Sequence, residues 1–311
     1  MAITKYSLMP ASIHADLMAY CRAYYQLTKP KVVALLVLTA WVGMMLASPT
    51  PPDLLLVVSA SLGIGLVSSA AAAFNHVLDQ KIDAQMARTY MRPLPKGKLT
   101  SLQAVIFACG LAVSGFTLLL LMVNGLTAML TLFGLFGYAV VYTLLLKRAT
   151  PQNIVIGGVA GALPPVLGWT AITGHLSGEA LLLMMIIFTW TPPHFWALAI
   201  HRCKDYAKAN IPMLPVTHGI EFTKTAILLY TFLLFLVCLL PYLVGMTGII
   251  YLLASIYLNG KFIFCAWKLK FNADPNSAMD TFRFSIVHLM ALFLVLLVDH
   301  YAKWSLGELL Q

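Results

Sequence analysis

Apolar residues run along this chain in nine stretches, at about 32–48, 54–78, 100–122, 126–146, 153–173, 179–201, 225–246, 249–268 and 282–301. Each is roughly 17–25 residues long, the length of α-helix that crosses the hydrocarbon core of a bilayer. The short alternating strands of a membrane β-barrel are a different pattern. The spacing therefore predicts nine transmembrane helices. Polar positions gather between the stretches, and the connections differ in kind. Ser48-Pro49-Thr50-Pro51-Pro52-Asp53 is short and holds no Lys or Arg, as are the turns near Asn124, His175 and Thr247. The connections after the second and sixth stretches, 79–99 and 202–224, are long and polar.

Basic residues follow the same division. Lys81, Arg88, Arg92, Lys96 and Lys98 follow the second stretch, and Lys147 and Arg148 the fourth. Arg202, Lys204, Lys208 and Lys224 follow the sixth; Lys268, Lys270 and Arg283 flank the gap after the eighth. The N-terminal segment adds Lys5, Arg22, Lys29 and Lys31, and only Lys303 lies beyond the last stretch. Cytoplasmic loops are the ones enriched in Lys and Arg. The N-terminus is thus expected in the cytoplasm and the C-terminus outside, which an odd number of spans satisfies.

Composition narrows the class. Of the 311 residues, 60% are hydrophobic and 10% charged, against about 25% charged in a soluble domain. A soluble enzyme, a secreted disulfide module and a disordered chain are excluded. What remains is an all-α polytopic membrane protein, with 1–28 as a cytoplasmic N-terminal tail and 29–311 as a single transmembrane domain. The net charge of +9 is explained by positive-inside topology and does not call for nucleic acid. Cys21, Cys109, Cys203, Cys238 and Cys265 are scattered, with no CxxC, and read as packing residues. Residues 1–28 contain no continuous apolar run, so no cleavable signal peptide is expected. Asp16 and a single Arg there argue against a transit peptide.

The densest polar cluster ends the second stretch: Asn75-His76-Val77-Leu78-Asp79-Gln80-Lys81-Ile82-Asp83, then Arg88-Thr89-Tyr90-Met91-Arg92-Pro93. If the helix continues this far, Asn75, Asp79 and Asp83 lie one above another on one face. Two carboxylates and an amide oxygen form a hard, all-oxygen surface suited to Mg²⁺, whose shell is completed by water and phosphate oxygens. Arg88 and Arg92 follow at the same spacing, and guanidinium groups grip phosphate bidentately. Acids for metal with bases for phosphate make a diphosphate site. The plainer alternative is a solvated helix end. His76 points to a different face, and its role stays open.

A second cluster closes the sixth stretch, Thr191-Pro192-Pro193-His194-Phe195-Trp196 through His201, Asp205, Tyr206 and Lys208 to Pro212-Met213-Leu214-Pro215. Pro192-Pro193 is expected to disturb the helix, which membranes tolerate only inside protein or beside a cavity. Asp205 is placed to bind a second Mg²⁺ opposite the first ladder, and Lys208 to reach a leaving phosphate. The alternative for Asp205 is a surface ion pair with Lys204 or Lys208. His194 is either a satisfied interior histidine or a functional one, since imidazole also ligates haem iron. Lys261, beside Asn259 and Gly260, lies about 10 Å from its helix end at 1.5 Å per residue. It either snorkels or meets a propionate or diphosphate.

NHVLDQKIDAQMARTYMRP resembles the first Asp-rich motif of the UbiA-type intramembrane prenyltransferases, and the helix count and both polar loops match as well. TPPHFWALAIHRCKDYAKANIPMLPV is similar to the haem-farnesylating branch of that superfamily. The likeness spans roughly 28–300. His76 departs from the Asp common in the superfamily, Gln80 from an Arg common in the haem branch, and Ala209 from a second Asp of other branches. The resemblance implies a nine-helix UbiA bundle in the bacterial inner membrane that transfers farnesyl from farnesyl diphosphate to a vinyl group of haem B, giving haem O. It implies Mg²⁺ held by Asn75, Asp79, Asp83 and Asp205. The catalytic set it implies is Asp79, Asp83, Asp205 and Lys208. Substrate contacts are expected from Asn75, Arg88, Arg92, His194, Trp196, His201, Tyr206 and Lys261. Tyr142, Trp169, Trp190, Phe195 and Trp196 are expected to line an apolar chamber. The lipid bilayer and a haem A synthase or terminal oxidase are the implied partners. Rival readings are a transferase for a quinone precursor or chlorophyll, and a haem-binding transporter. A transporter is expected to keep its ionisable groups near mid-membrane.

Overall fold

The computed structural model describes residues 11–86, 89–272 and 274–309. Among them every regular element is helical. Helix α1 (Ala11–Leu27) is followed by α2 (Pro30–Leu46), bent from it by 47° at Lys29. Then come α3 (Leu54–Leu78), α4 (Ser101–Met122) and α5 (Gly125–Phe136), which runs on as a π-helix over Gly137–Leu146. Next are α6 (Asn153–Ala162), α7 (Pro164–Thr173), α8 (Gly178–His201), α9 (Ile220–Leu243), α10 (Ile249–Phe271) and α11 (Ser277–Leu309). Among the described residues eight spans are long and apolar enough to cross a bilayer on their own, α5 with its π-helix and α6 with α7 each forming one. The bent α1–α2 pair passes the same test of length and apolarity when its two helices are taken together, which brings the spans to nine. Residues before 29, read from the sequence as a tail, thus include a helix. Its last turn docks, with Leu27 buried and Tyr24 against Phe107.

Side chains sort as a bilayer requires. Leu54, Leu121 and Leu243 are exposed on the outer face, an arrangement that water would not allow. Because lipid is as apolar as leucine, contact between helices comes from close packing of small residues and from hydrogen bonds. Gly43 and Gly168 let α2 and α7 touch: a Cβ on Gly168 would meet Ala40 O at 1.8 Å, and one on Gly43 would meet Pro165 O at 2.2 Å. Gly63 and Gly115 do the same for α3 and α4.

The two ends of the bundle differ. At the end with short connections, side chains tie the helices together. Asn124 Nδ2 donates to Thr170 O at 2.9 Å, and His300 Nε2 lies 3.0 Å from Ser48 O. Asp299 of α11, 2% exposed, accepts from the backbone N–H of Gly248 and from that of Tyr251 at 3.0 Å. It caps α10 from another helix, satisfying donors that a helix start leaves free. At the polar-loop end the helices part around a cavity. There Ile82 and Met86 of the first polar loop share a buried cluster with Tyr206, Ile211, Met213 and Leu214 of the second.

Two details differ from the apolar pattern. Helix α9 starts at Ile220, before its apolar run, because Glu221 pairs with Lys224 at 2.8 Å and Lys270 at 3.2 Å. The run marks apolar depth, whereas the helix itself continues into its polar first turn. Pro192 and Pro193 do not disturb α8, which passes through both. Each proline removes one backbone donor, but both are buried among neighbouring helices, and Thr189 and Thr191 side chains bond back to Met185 O and Ile187 O. Burial of the interrupted turn inside protein is what lets a membrane helix keep prolines.

Candidate active site

Helix α3 ends at Leu78, yet its bonding register does not. Asp79 N–H donates to Asn75 O at 2.9 Å and Asp83 N–H to Asp79 O at 2.8 Å. The single helical turn Gln80–Asp83 follows directly. Asn75, Asp79 and Asp83 therefore stay stacked. All three face a cavity of about 500 Å³ and are 3%, 2% and 3% exposed. That volume lies in the usual range for small-ligand sites.

Cations surround them. Lys147 Nζ donates to Asp79 Oδ2 at 2.6 Å, and Arg92 to Asp83 Oδ2 at 2.6 Å. Lys29 Nζ donates to Asn75 Oδ1 at 2.5 Å and lies 3.4 Å from the Tyr138 hydroxyl. Asn75 Nδ2 donates to Asp79 Oδ2 at 2.9 Å and to Thr143 Oγ1 at 3.1 Å. Lys29 itself has φ 48°, a left-handed conformation that costs a residue with a side chain about 1–3 kcal/mol. The turn aims its amine at the site. Three basic side chains face two carboxylates, a setting in which an incoming anion favours the charged form of all three. Asp79 Oδ1 is buried with no hydrogen-bond partner. An orphaned carboxylate oxygen beside a second carboxylate and an amide oxygen fits a hard divalent cation that borrows phosphate oxygens. Among the described residues no three His, Cys, Asp or Glu side chains gather as a metal cluster. A metal here would depend on the substrate for part of its shell.

The rest of the wall is apolar. Val67, Ala71, Leu135, Leu163, Leu167 and Ile187 line it, with Trp190 and Leu289. Tyr138 and Tyr142 project from the π-helix with rings stacked 5.6 Å apart. The wider turn of a π-helix is rare and concentrates at functional sites. Gly157 makes room for the second ring, since a Cβ there would sit 2.2 Å from Tyr142.

The second sequence cluster divides. His194, Phe195 and Tyr206 line the cavity, and so does Trp190. Asp205 does not join the first ladder: it faces Arg202 at 3.7 Å with its side chain 32% exposed, outside the cavity wall. Its helix, Cys203–Lys208, lies along the protein surface, so its partner is Arg202 and not Lys204 or Lys208. Lys208 and His201 are exposed and also stand off the wall. His201 shares a helix face with His194 but sits at the helix end, past the cavity. Trp196 is 2% exposed and packs edge-on against Tyr230, on the opposite side of α8 from the cavity residues. Trp169 is buried in the main core. Lys261 is exposed and rests over the Phe284 ring at 5.0 Å, away from the cavity. Arg88 lies outside the described residues.

The profile of the UbiA prenyltransferase family matches residues 36–296. The chain belongs to the UbiA prenyltransferase family. It is 64% identical over 284 residues to "Protoheme IX farnesyltransferase 2" of Pseudoalteromonas atlantica, covering 91% of this chain and 93% of that one. It is 63% identical over 287 residues to "Protoheme IX farnesyltransferase" of Colwellia psychrerythraea, covering 92% and 94%. Among solved structures, one described for digeranylgeranylglyceryl phosphate synthase superposes with a TM-score of 0.77 at 19% identity, over 91% of this chain and 99% of that one. A UbiA homolog from Archaeoglobus fulgidus, described as bound to GPP and Mg²⁺, superposes at 0.58 and 16% identity, over 88% and 99%.

For a UbiA-family protein, the residues that sequence reasoning missed are as telling as those it found. Lys29 and Lys147 read only as positive-inside charges, because both sit beside apolar runs where such charges are ordinary. Tyr138 and Thr143 lie inside an apolar run and carry no local signal. Each reaches Asn75 or Asp79 across 46 to 109 positions of chain, directly or through Lys29. A local spacing rule cannot register such contacts.

Proposed function

We propose that this UbiA-family protein transfers the farnesyl group of farnesyl diphosphate to a vinyl group of haem B, with addition of water, to make haem O. The reading is carried by one observation: an acid ladder ringed by three cations opens onto an apolar, aromatic-lined cavity. The names of the relatives that match nearly the whole chain supply the substrates. Asn75, Asp79 and Asp83 are the residues that would hold Mg²⁺, which when bound offsets charge on the diphosphate. Lys29, Arg92 and Lys147 take the remaining phosphate charge, so that the leaving group departs as a stabilised anion. The C1–O bond breaks and an allylic cation develops. Tyr138, Tyr142 and Trp190 present ring faces to it. The apolar wall keeps water away until the vinyl carbon has attacked. Water then adds to the porphyrin-stabilised cation and loses a proton, leaving the hydroxyl.

The same reading sets the polar-loop end in the cytoplasm, with the chain in a bacterial inner membrane. Incubation of purified protein with labelled farnesyl diphosphate and either haem B or 4-hydroxybenzoate tests it. Label in haem O alone is expected, and label in the benzoate alone would overturn the substrate assignment. Mass spectrometry of haems from cells with and without the protein provides the matching test in vivo.

A further inference from the structure

His194 is an interior histidine with one nitrogen tied down and the other available. Trp190 and Phe282 lie nearly parallel to its ring, with centroids 4.2 and 4.6 Å away, and Phe195 meets it edge-on at 4.9 Å. Its Nδ1 is 2.6 Å from Ser285 Oγ of α11. The Ser285 hydroxyl also lies 2.6 Å from Phe282 O, which can only accept. With its one proton on that carbonyl, the serine oxygen accepts from Nδ1–H, which leaves Nε2 as the unprotonated nitrogen. Trp190 Nε1 donates to Ser285 O at 2.8 Å, which fixes the same turn from another side. Ser285 is fully buried. Nε2 takes part in no hydrogen bond and is not among the buried polar atoms left without a partner, while His194 lines the cavity. Its lone pair is thus open to a bound molecule.

We propose that His194 Nε2 takes the iron of the haem substrate as an axial ligand, and that Ser285 is the positioning residue that fixes the ring and its tautomer. The inference rests on the haem reading above. Metal-binding histidines almost always donate their second N–H to a fixed acceptor, which orients the ring and strengthens the donor nitrogen. Imidazole is the usual protein ligand of haem iron. The aromatic collar suits a flat apolar macrocycle, whereas a histidine acting on bulk water would sit in a polar setting. Ligation holds the macrocycle by its centre and leaves its vinyl-bearing edge free to react.

The test uses full-length purified protein titrated with haem B and followed by optical and electron paramagnetic resonance spectra. Wild type is expected to give the signature of imidazole-ligated iron. His194→Ala is expected to lose it, and His194→Gly to regain it with added imidazole. Removing such a supporting partner costs about 10–100-fold in affinity. Ser285→Ala is therefore expected to weaken haem binding by about tenfold and raise KM for haem, with KM for farnesyl diphosphate unchanged. Ser285→Thr, which keeps the hydroxyl, is expected to restore it. A merely structural serine would shift both constants together and leave the iron signature intact. If wild type binds and farnesylates haem while His194→Ala keeps the same iron spectrum, this inference falls and the function stands. If wild type neither binds nor farnesylates haem B, both fall.

Discussion

Two polar clusters stand at the same end of the bundle, and the fold treats them differently. The first, at the end of α3, turns all of Asn75, Asp79 and Asp83 into the cavity and rings them with cations from three other segments. The second, at the end of α8, sends His194 and Phe195 inward and leaves His201, Asp205 and Lys208 off the wall. The difference lies in the backbone beyond each helix. After Leu78 the i to i−4 bonds continue through Asp83, so the ladder keeps its face. After His201 equivalent bonds run from Arg202 N–H to Leu198 O and from Tyr206 N–H to Arg202 O, but past Arg202, with φ −110° and ψ 22°, the short helix Cys203–Lys208 turns Tyr206 to the cavity and leaves Asp205 and Lys208 off its wall. Burying charge in an apolar bundle is costly, and a buried ion pair is weak evidence of stability. Such a cluster is retained for what it binds.

That contrast can be broken or sharpened by experiment. Chelating divalent metal from the purified enzyme is expected to abolish farnesyl transfer, with recovery on adding Mg²⁺; full activity in chelator would remove the metal from the ladder. Asp79→Asn, which preserves volume, should lower kcat by about 100-fold or more, the scale of losing one electrostatic contributor to a developing charge. Haem O formed per unit of membrane-inserted protein measures it. Lys147→Met should cost roughly 10–100-fold, expressed mostly in KM for farnesyl diphosphate. It should also lower thermal stability, since removing one partner of a buried pair costs about 3–5 kcal/mol. Gly157→Ala pushes on the Tyr142 ring, and overpacking of this kind costs about 1–3 kcal/mol. A several-fold fall in turnover with normal insertion is expected. Asp205→Asn should change activity by less than about threefold, in line with the small worth of an exposed ion pair. A loss at Asp205 equal to that at Asp79 would mean the second cluster joins the first when substrate is bound, and the contrast would vanish.

Much of this was legible from residue order. Helix positions followed from apolar length, and the ladder followed from a spacing of four, since both depend on neighbours along one helix. Proline was read less well, and its two doublets show why. Pro164-Pro165 opens α7 just after a break at Leu163, whereas Pro192-Pro193 lies inside an unbroken α8. The dipeptide is the same in both places, and what differs is the packing around it. Trp196 and Phe195 are adjacent aromatics, but only Phe195 faces the cavity. A helix that is apolar on every side gives no clue to which face meets the site.

The sequence by itself determined a helical membrane protein, its spans and the face carrying Asn75, Asp79 and Asp83, because bilayer thickness and helical periodicity act on neighbouring residues. Only the tertiary structure decided that Lys29 and Lys147 complete the ladder, that Asp205 stands apart from it, and that Ser285 Oγ meets His194 Nδ1. Those contacts join distant segments, and they form only where the helices pack around the cavity.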